Sequence, residues 1–142
     1  MKFKLVFLAL LFSMCSNITQ EAPKEIRVVS LSTTHTEIIQ SLEAQETLIA
    51  VDAFSDVDFP VEVIDAYTVT AEELAPLNPD VVILAFDFNG IVEGLENQEI
   101  NYVLLPPAKN FEDVYSQIEK IGSLVNKESE AFSTTRDMKI EI

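Results

Sequence analysis

Apolar and polar positions alternate in short blocks along this chain, and the blocks have two different periods. IRVVSL, residues 26–31, is a compact β-branched run that predicts a buried strand. Thr34 and Glu37 then stand at the spacing of a capping box, in which a hydroxyl and a carboxylate satisfy two free amides of a starting helix. Ile38, Ile39 and Leu42 follow on one helical face. LIAVD, residues 48–52, reads as a second strand, and a long connection over residues 53–66 carries Pro60 and four acids. Thr70 and Glu73 repeat the capping-box spacing and open a short helix to about Leu77, with Pro76 as its terminating residue. Asn78-Pro79-Asp80 marks a turn before VVILAF, residues 81–86, the strongest strand pattern in the chain. Residues 88–97 place Ile91, Val92 and Leu95 at helical spacing, and NYVLL, residues 101–105, is a fourth strand stopped by Pro106-Pro107. Asn110 caps a helix whose Phe111, Val114, Tyr115, Ile118, Ile121 and Val125 recur with helical period. From about Glu128 to Ile142 the chain is helix-prone with a thin apolar stripe.

Strands that alternate with helices, and that are apolar on both faces, predict an α/β fold: a mostly parallel sheet flanked by helices. Such sheets bind ligands outside the carboxyl ends of their strands. The loops that matter are therefore 32–36, 53–59 and 86–90, together with 65–70 if a minor strand precedes it.

The first residues do not belong to that pattern. In MKFKLVFLALLFSMC, residues 1–15, Lys2 and Lys4 precede an unbroken apolar run, the form of an export signal and too short to span a membrane. Cys15 ends the run and is the only cysteine, so no internal disulfide is possible. Its position is similar to the lipidation site of bacterial lipoproteins, although Met14 stands where a small residue is usual; lipidation, simple secretory cleavage and an unmodified cysteine all remain open. A lipidated Cys15 would tether the chain to a membrane. Residues 16–25 read as a tether, and the sequon at Asn17 is a chance match if the signal is bacterial.

Composition narrows the chemistry. The 142 residues suit one domain with a real core, and 48% hydrophobic content argues against disorder. Nine basic residues among 24 acidic ones, for a net charge of −15, argue against a nucleic-acid partner. Glycines at only 90, 94 and 122 build no dinucleotide fingerprint or P-loop; Gly90 and Gly94 are a packing or capping feature of a helix. One histidine and one cysteine offer no metal cluster, no G-x-S-x-G elbow is present, and scattered acids are solvated faces. Neither a resident cofactor nor a catalytic residue is expected.

In their order, RVVSLSTTHTEII, LIAVDAFSDVDFP, DAYTVTAEELAPLNPDVVILAF and INYVLLPPAKNFEDVYSQIEKIG resemble the N-terminal lobe of ABC-importer substrate-binding proteins. The subgroup is the one that captures vitamin B12, haem and iron–siderophore complexes. The resemblance covers about residues 26–125 and agrees with the export signal. It implies two α/β lobes joined by a long helix, with residues 26–126 as the N-terminal lobe, 127–142 as the start of the connecting helix, and a C-terminal lobe beyond this sequence. A partial sequence, a truncated gene and a true one-lobed chain are the readings of that ending. The family usually carries a glycine after its first helix, where this chain has Leu42-Glu43-Ala44-Gln45.

The resemblance also implies roles. Phe54, Tyr67 and Phe86 match positions whose aromatic rings contact ligand. Ser32, Thr33, Thr34 and His35 form the first loop at the cleft rim, where a helix terminus suits a carboxylate, phosphate or amide oxygen. His35 stands at a variable position, with plain structural packing as its alternative. Glu72 matches a glutamate that docks on the permease, and Glu73 is left for capping. The expected partners are an ABC permease, its ATPase and a small metal-chelate ligand. Two other functions stay open: a small secreted α/β enzyme, and a fragment without independent function.

Overall fold

A computed structural model describes residues 24–141. The export signal, Cys15 and the tether as far as residue 23 lie outside the described residues. Strand β1 (Val28–Leu31) leads into helix α1 (Thr33–Ser41), then β2 (Leu48–Asp52) and β3 (Glu62–Ile64). Helix α2 (Ala71–Leu74) precedes β4 (Val81–Leu84), α3 (Ile91–Asn97) and β5 (Tyr102–Leu104). Helices α4 (Phe111–Leu124) and α5 (Glu128–Glu141) follow. The sheet runs β3-β2-β1-β4-β5 and every pairing is parallel.

The parallel sheet is buried on both faces, as the continuous apolar strands require. Val81 and Ile83 point to one face of β4, where they join Ile39, Leu42, Ile118, Ile121 and Ala131 of α1, α4 and α5. Val82 and Leu84 point to the other face and meet Ala71, Leu74, Ile91 and Leu95 of α2 and α3. Each large aliphatic side chain so buried contributes about 1.5–3 kcal/mol relative to exposure. At the amino end of the sheet, the Asp80 carboxylate accepts from the Arg27 amide at 2.9 Å and pairs with Lys24. Lys24 and the Arg27 amide hold the Asp80 carboxyl below its usual range.

Four expectations are corrected. The proposed capping box of Thr34 and Glu37 does not form: α1 starts at Thr33, with Ser32 as N-cap and no side-chain cap bond. Instead Thr36 binds back to the Ser32 carbonyl through both its amide (3.0 Å) and its hydroxyl (3.1 Å), and Ser55 Oγ donates to that hydroxyl from across the fold (3.1 Å), which fixes the helix start at Thr33. The helix expected over 88–97 begins only at Ile91, because Asn89 (φ 52°) and Gly90 (φ 71°) take left-handed backbone and form a short 3₁₀ turn with Phe88. The strand expected over 81–86 ends at Leu84, so Ala85 and Phe86 leave the sheet. The connection 53–66 contains the edge strand β3, whose Glu62 and Val63 are exposed and give no core pattern.

Other expectations hold. Thr70 and Glu73 form a reciprocal capping box on α2, with Glu73 Oε2 accepting from the Thr70 amide at 2.8 Å. Asn110 Oδ1 accepts from the Asp113 amide at 2.9 Å and caps α4. After Leu74 the chain tightens into a 3₁₀ turn over Ala75–Leu77 that accommodates Pro76. The missing glycine after α1 is replaced by Glu43, which takes φ 53°. Ala44 N donates to Ile39 O and Glu43 N to Gln40 O, a Schellman ending with a glutamate in the left-handed position.

Candidate ligand-binding cleft

Strand order reverses between β1 and β4, since the chain moves outward through β2 and β3 on one side and through β5 on the other. Loops leaving the carboxyl ends of β1 and β4 diverge there and open a crevice. A cavity of about 720 Å³ occupies it, within the range of small-molecule sites. Every strand contributes to its wall. Leu31 to Thr34 come from the β1–α1 junction, Asp52 and Phe54 from the end of β2, and Ala66 and Tyr67 from beyond β3. Ala85, Phe86 and Phe88 follow β4, while Leu105, Pro107 and Ala108 follow β5.

Four rings form a row along this edge. Phe54 meets Tyr67 edge-on, with centroids 6.3 Å apart and planes at 84°. Tyr67 lies 4.6 Å from Phe88, and Phe88 lies 5.3 Å from Phe86. These rings are not core residues: Phe54 is 70% exposed, Tyr67 53% and Phe86 50%. Apolar rings left this open, yet packed against one another, present a flat apolar surface to a cargo.

Backbone contacts hold the row in place. The buried Asp52 carboxylate accepts from Thr33 Oγ1 (3.2 Å), the Phe54 amide (3.2 Å) and the Ala66 amide (3.4 Å). One carboxylate thereby joins α1 to the two loops that carry Phe54 and Tyr67. Asp65 accepts from the Tyr67 amide at 2.9 Å, and Asn89 Nδ2 donates to the Tyr67 carbonyl from the loop after β4. Hydroxyls tie the start of α1 to the loop after β2: Ser55 Oγ donates to Thr36 Oγ1 at 3.1 Å, and Thr36 Oγ1 lies 2.9 Å from Ser30 Oγ. Gln117 Nε2 of α4 donates to the Pro106 carbonyl at 2.7 Å and secures the loop after β5.

Ser32, Thr33, Thr34, His35, Phe54, Tyr67 and Phe86, the residues singled out in the sequence, all line this one cavity. They do so differently. Thr34 faces outward, whereas His35 is 2% exposed and packs beneath the cleft with Nδ1 buried and without a hydrogen-bond partner among the described residues. Burial pulls the His35 pKa down to about 4, with the Gln117 side chain acting in the other direction. Glu72 stands apart, exposed in the first turn of α2. Sequence reasoning missed Phe88, Asp52, Gln117 and the Pro107-Ala108 loop. Phe88 lies inside the loop 86–90 that the sequence marks, but the helical spacing of 88–97 points it into a helix; its position two residues after Phe86, beside Asn89-Gly90, is the available sign of a turn. Asp52 is the last residue of its strand, and nothing local marks its two long-range donors, Thr33 and Ala66. Among the described residues no cluster of three or more His, Cys, Asp or Glu side chains is placed to hold a metal ion.

A parallel α/β lobe with an aromatic cleft at the carboxyl edge of its sheet has the architecture of a solute-binding lobe. Residues 28–142 match the family model described as periplasmic binding protein, and the chain belongs to that family. Among solved structures it is similar to a possible iron-binding (periplasmic solute-binding) protein from Staphylococcus epidermidis, at 23% identity and a TM-score of 0.68, over 80% of this chain and 47% of that one. It is also similar to the periplasmic heme binding protein HutB of Vibrio cholerae, at 22% identity and a TM-score of 0.70, over 81% and 47%. A third is an ABC-type Fe3+-hydroxamate transport system from Saccharomonospora viridis, at 20% identity and a TM-score of 0.60, over 80% and 47%. These likenesses are of fold, and the chain spans under half the length of each of those structures. Among curated proteins there is no match.

Proposed function

We propose that this chain is the ligand-capturing lobe of an ABC-importer substrate-binding protein. It captures a metal chelate (cobalamin, haem or a ferric siderophore) and delivers it to a permease driven by its ATPase. The row Phe54-Tyr67-Phe88-Phe86 carries the reading: it offers a broad apolar face suited to a macrocyclic or aryl ligand. The lobe binds and orients its cargo and performs no bond chemistry. Export by residues 1–15, with a lipid on Cys15, would keep it at the outer face of the membrane where a permease waits; labelling expressing cells with a palmitate analogue and finding none on the protein would remove the anchor.

Tyr67 sits in the middle of the row and touches the rings on both sides. Tyr67→Ala is expected to weaken binding of the captured chelate by about 2 kcal/mol, roughly thirtyfold, by removing apolar area that only the cargo covers. Because the ring is half exposed, the melting temperature should hardly move. Titration of both proteins with cobalamin, hemin and a ferric trihydroxamate measures this. A large loss of stability with unchanged affinity would make Tyr67 a core residue and sink the reading.

Glu72 is proposed as a permease contact. Glu73 already serves the cap of α2, which leaves the neighbouring Glu72 carboxylate free for an arginine of the transporter. Glu72→Arg should reduce uptake severalfold in cells while ligand affinity stays unchanged. Equal losses in both assays would contradict docking.

A further inference from the structure

The charges around the cleft are of one sign. Its wall includes the carboxylates of Asp52, buried, and Glu37, exposed on α1, and none of the lysines or arginines among the described residues lines it. The carboxylates of Asp65 and Asp87 flank the loops that carry Tyr67, Phe86 and Phe88, each engaged by a backbone amide. Basic side chains lie elsewhere. Lys24 and Arg27 are bound to the Asp80 turn at the amino end of the sheet, and Lys109 lies past Ala108 in the loop where its amide is bonded to Asp113. His35 supplies no positive charge at neutral pH, since burial keeps its pKa near 4. The positive end of α1 points at the cleft, and the Asp52 carboxylate stands beside it, bound to the Thr33 hydroxyl in the first turn.

We infer that this cleft selects an uncharged or cationic chelate and disfavours anionic ones, with Asp52 and Glu37 as the discriminating residues. The inference rests on the chelate-binding reading above and narrows its substrate class. A ferric ion is neutralised by three hydroxamates, and a spare ammonium on such a ligand makes the complex cationic. Three catecholates leave a ferric complex strongly anionic, and haem brings two propionates. An anionic cargo pressed against the aromatic row would meet the Asp52 and Glu37 carboxylates in a partly desolvated space, where like charges repel more than in water.

The test is a titration of the chain, followed by NMR so that weak binding registers, with three probes: a ferric trihydroxamate bearing a free ammonium, a ferric tricatecholate and hemin. The trihydroxamate should bind at least about tenfold tighter than the tricatecholate at low salt, and the gap should shrink as salt screens the field. Glu37→Lys should narrow the gap severalfold, and Asp52→Asn should do the same if it folds. Glu37 is exposed and its side chain makes no hydrogen bond among the described residues, so Glu37→Lys remains informative if Asp52→Asn unfolds. Tricatecholate or hemin binding as tightly as the trihydroxamate, or a gap that ignores both salt and Glu37→Lys, would overturn the inference and leave the chelate reading intact. Binding of none of the probes would overturn that reading and the inference with it.

Discussion

Acidification from pH 6.5 to pH 4 is expected to cost this protein about 3 kcal/mol of stability through His35 alone. The imidazole is buried beneath the cleft, its Nδ1 has no partner among the described residues, and its pKa is lowered to about 4. Desolvation of the charged form is the cause, only partly opposed by the Gln117 side chain. In the unfolded chain the same histidine protonates near pH 6.5. Between those values the unfolded state binds more protons than the folded one, so stability falls as pH falls. Above about pH 6.5 both states are neutral and the contribution is complete; below about pH 4 both are protonated and the loss levels off. Denaturant unfolding across this window measures the slope. His35→Gln keeps a polar side chain of similar size and cannot charge. The difference between the two curves isolates the histidine from the carboxylates that titrate at the acid end. Parallel curves would show that His35 does not carry the acid sensitivity.

The second large effect is expected at Gly122. This residue is buried in α4, and a Cβ built there would collide with the Ala131 methyl of α5 and stand 3.0 Å from the Lys127 carbonyl oxygen. Both obstacles are rigid: one is a methyl on a packed helix and the other is backbone. Helix α5 also meets α4 through Thr135, whose hydroxyl donates to Glu119 Oε1 at 3.3 Å, and through Lys139 over the Tyr115 ring. Only Ala131 and Thr135 of its residues are buried, while Phe132 and Ile140 are exposed. Gly122→Val is therefore expected to cost about 3 kcal/mol, overpacking the tight contact of Gly122 with Ala131. The melting temperature should drop by about 10 °C. Gly122→Ala should fall between, because improved helix propensity offsets part of the clash. Loss of amide protection along α5 before the sheet opens would locate the damage at that contact. A Gly122→Val protein that melts like the native one would show that α5 is not held there.

The parts of the fold legible in sequence were those in which local pattern and tertiary burial ask for the same residues. VVIL and VVSL are apolar at every or nearly every position because a parallel strand with helices on both faces buries both sides. The α4 stripe from Val114 to Val125 was equally plain, since one helix face meets the core. Thr70 with Glu73 formed the expected cap; Thr34 with Glu37, at the same spacing, did not. The difference lies outside both motifs, in the bonds of Thr36 to Ser30, Ser32 and Ser55. Strand β3 was hidden because an edge strand of three residues needs no apolar face, only the backbone of Ala50 to Asp52 beside it. Glu43, Glu99 and Asn126 take left-handed backbone after α1, α3 and α4, where glycine would be the usual signal.

What sequence alone determined is the alternation of strand and helix, and with it a parallel sheet whose functional edge lies at the carboxyl ends of its strands. Loop positions followed directly, and seven residues named in those loops share one cavity. Only the tertiary structure decided which side chains act together there. Phe86 entered the cleft because β4 stops at Leu84, and Phe88 joined the row because Asn89 and Gly90 turn the chain back. His35, the one histidine, went beneath the cleft, and Asp52 became the residue that ties α1 to the loops of Phe54 and Tyr67. The physical reason is range: periodicity reports which face of its own element a residue occupies, whereas a cleft is made by loops from separate elements that meet only when the sheet has formed.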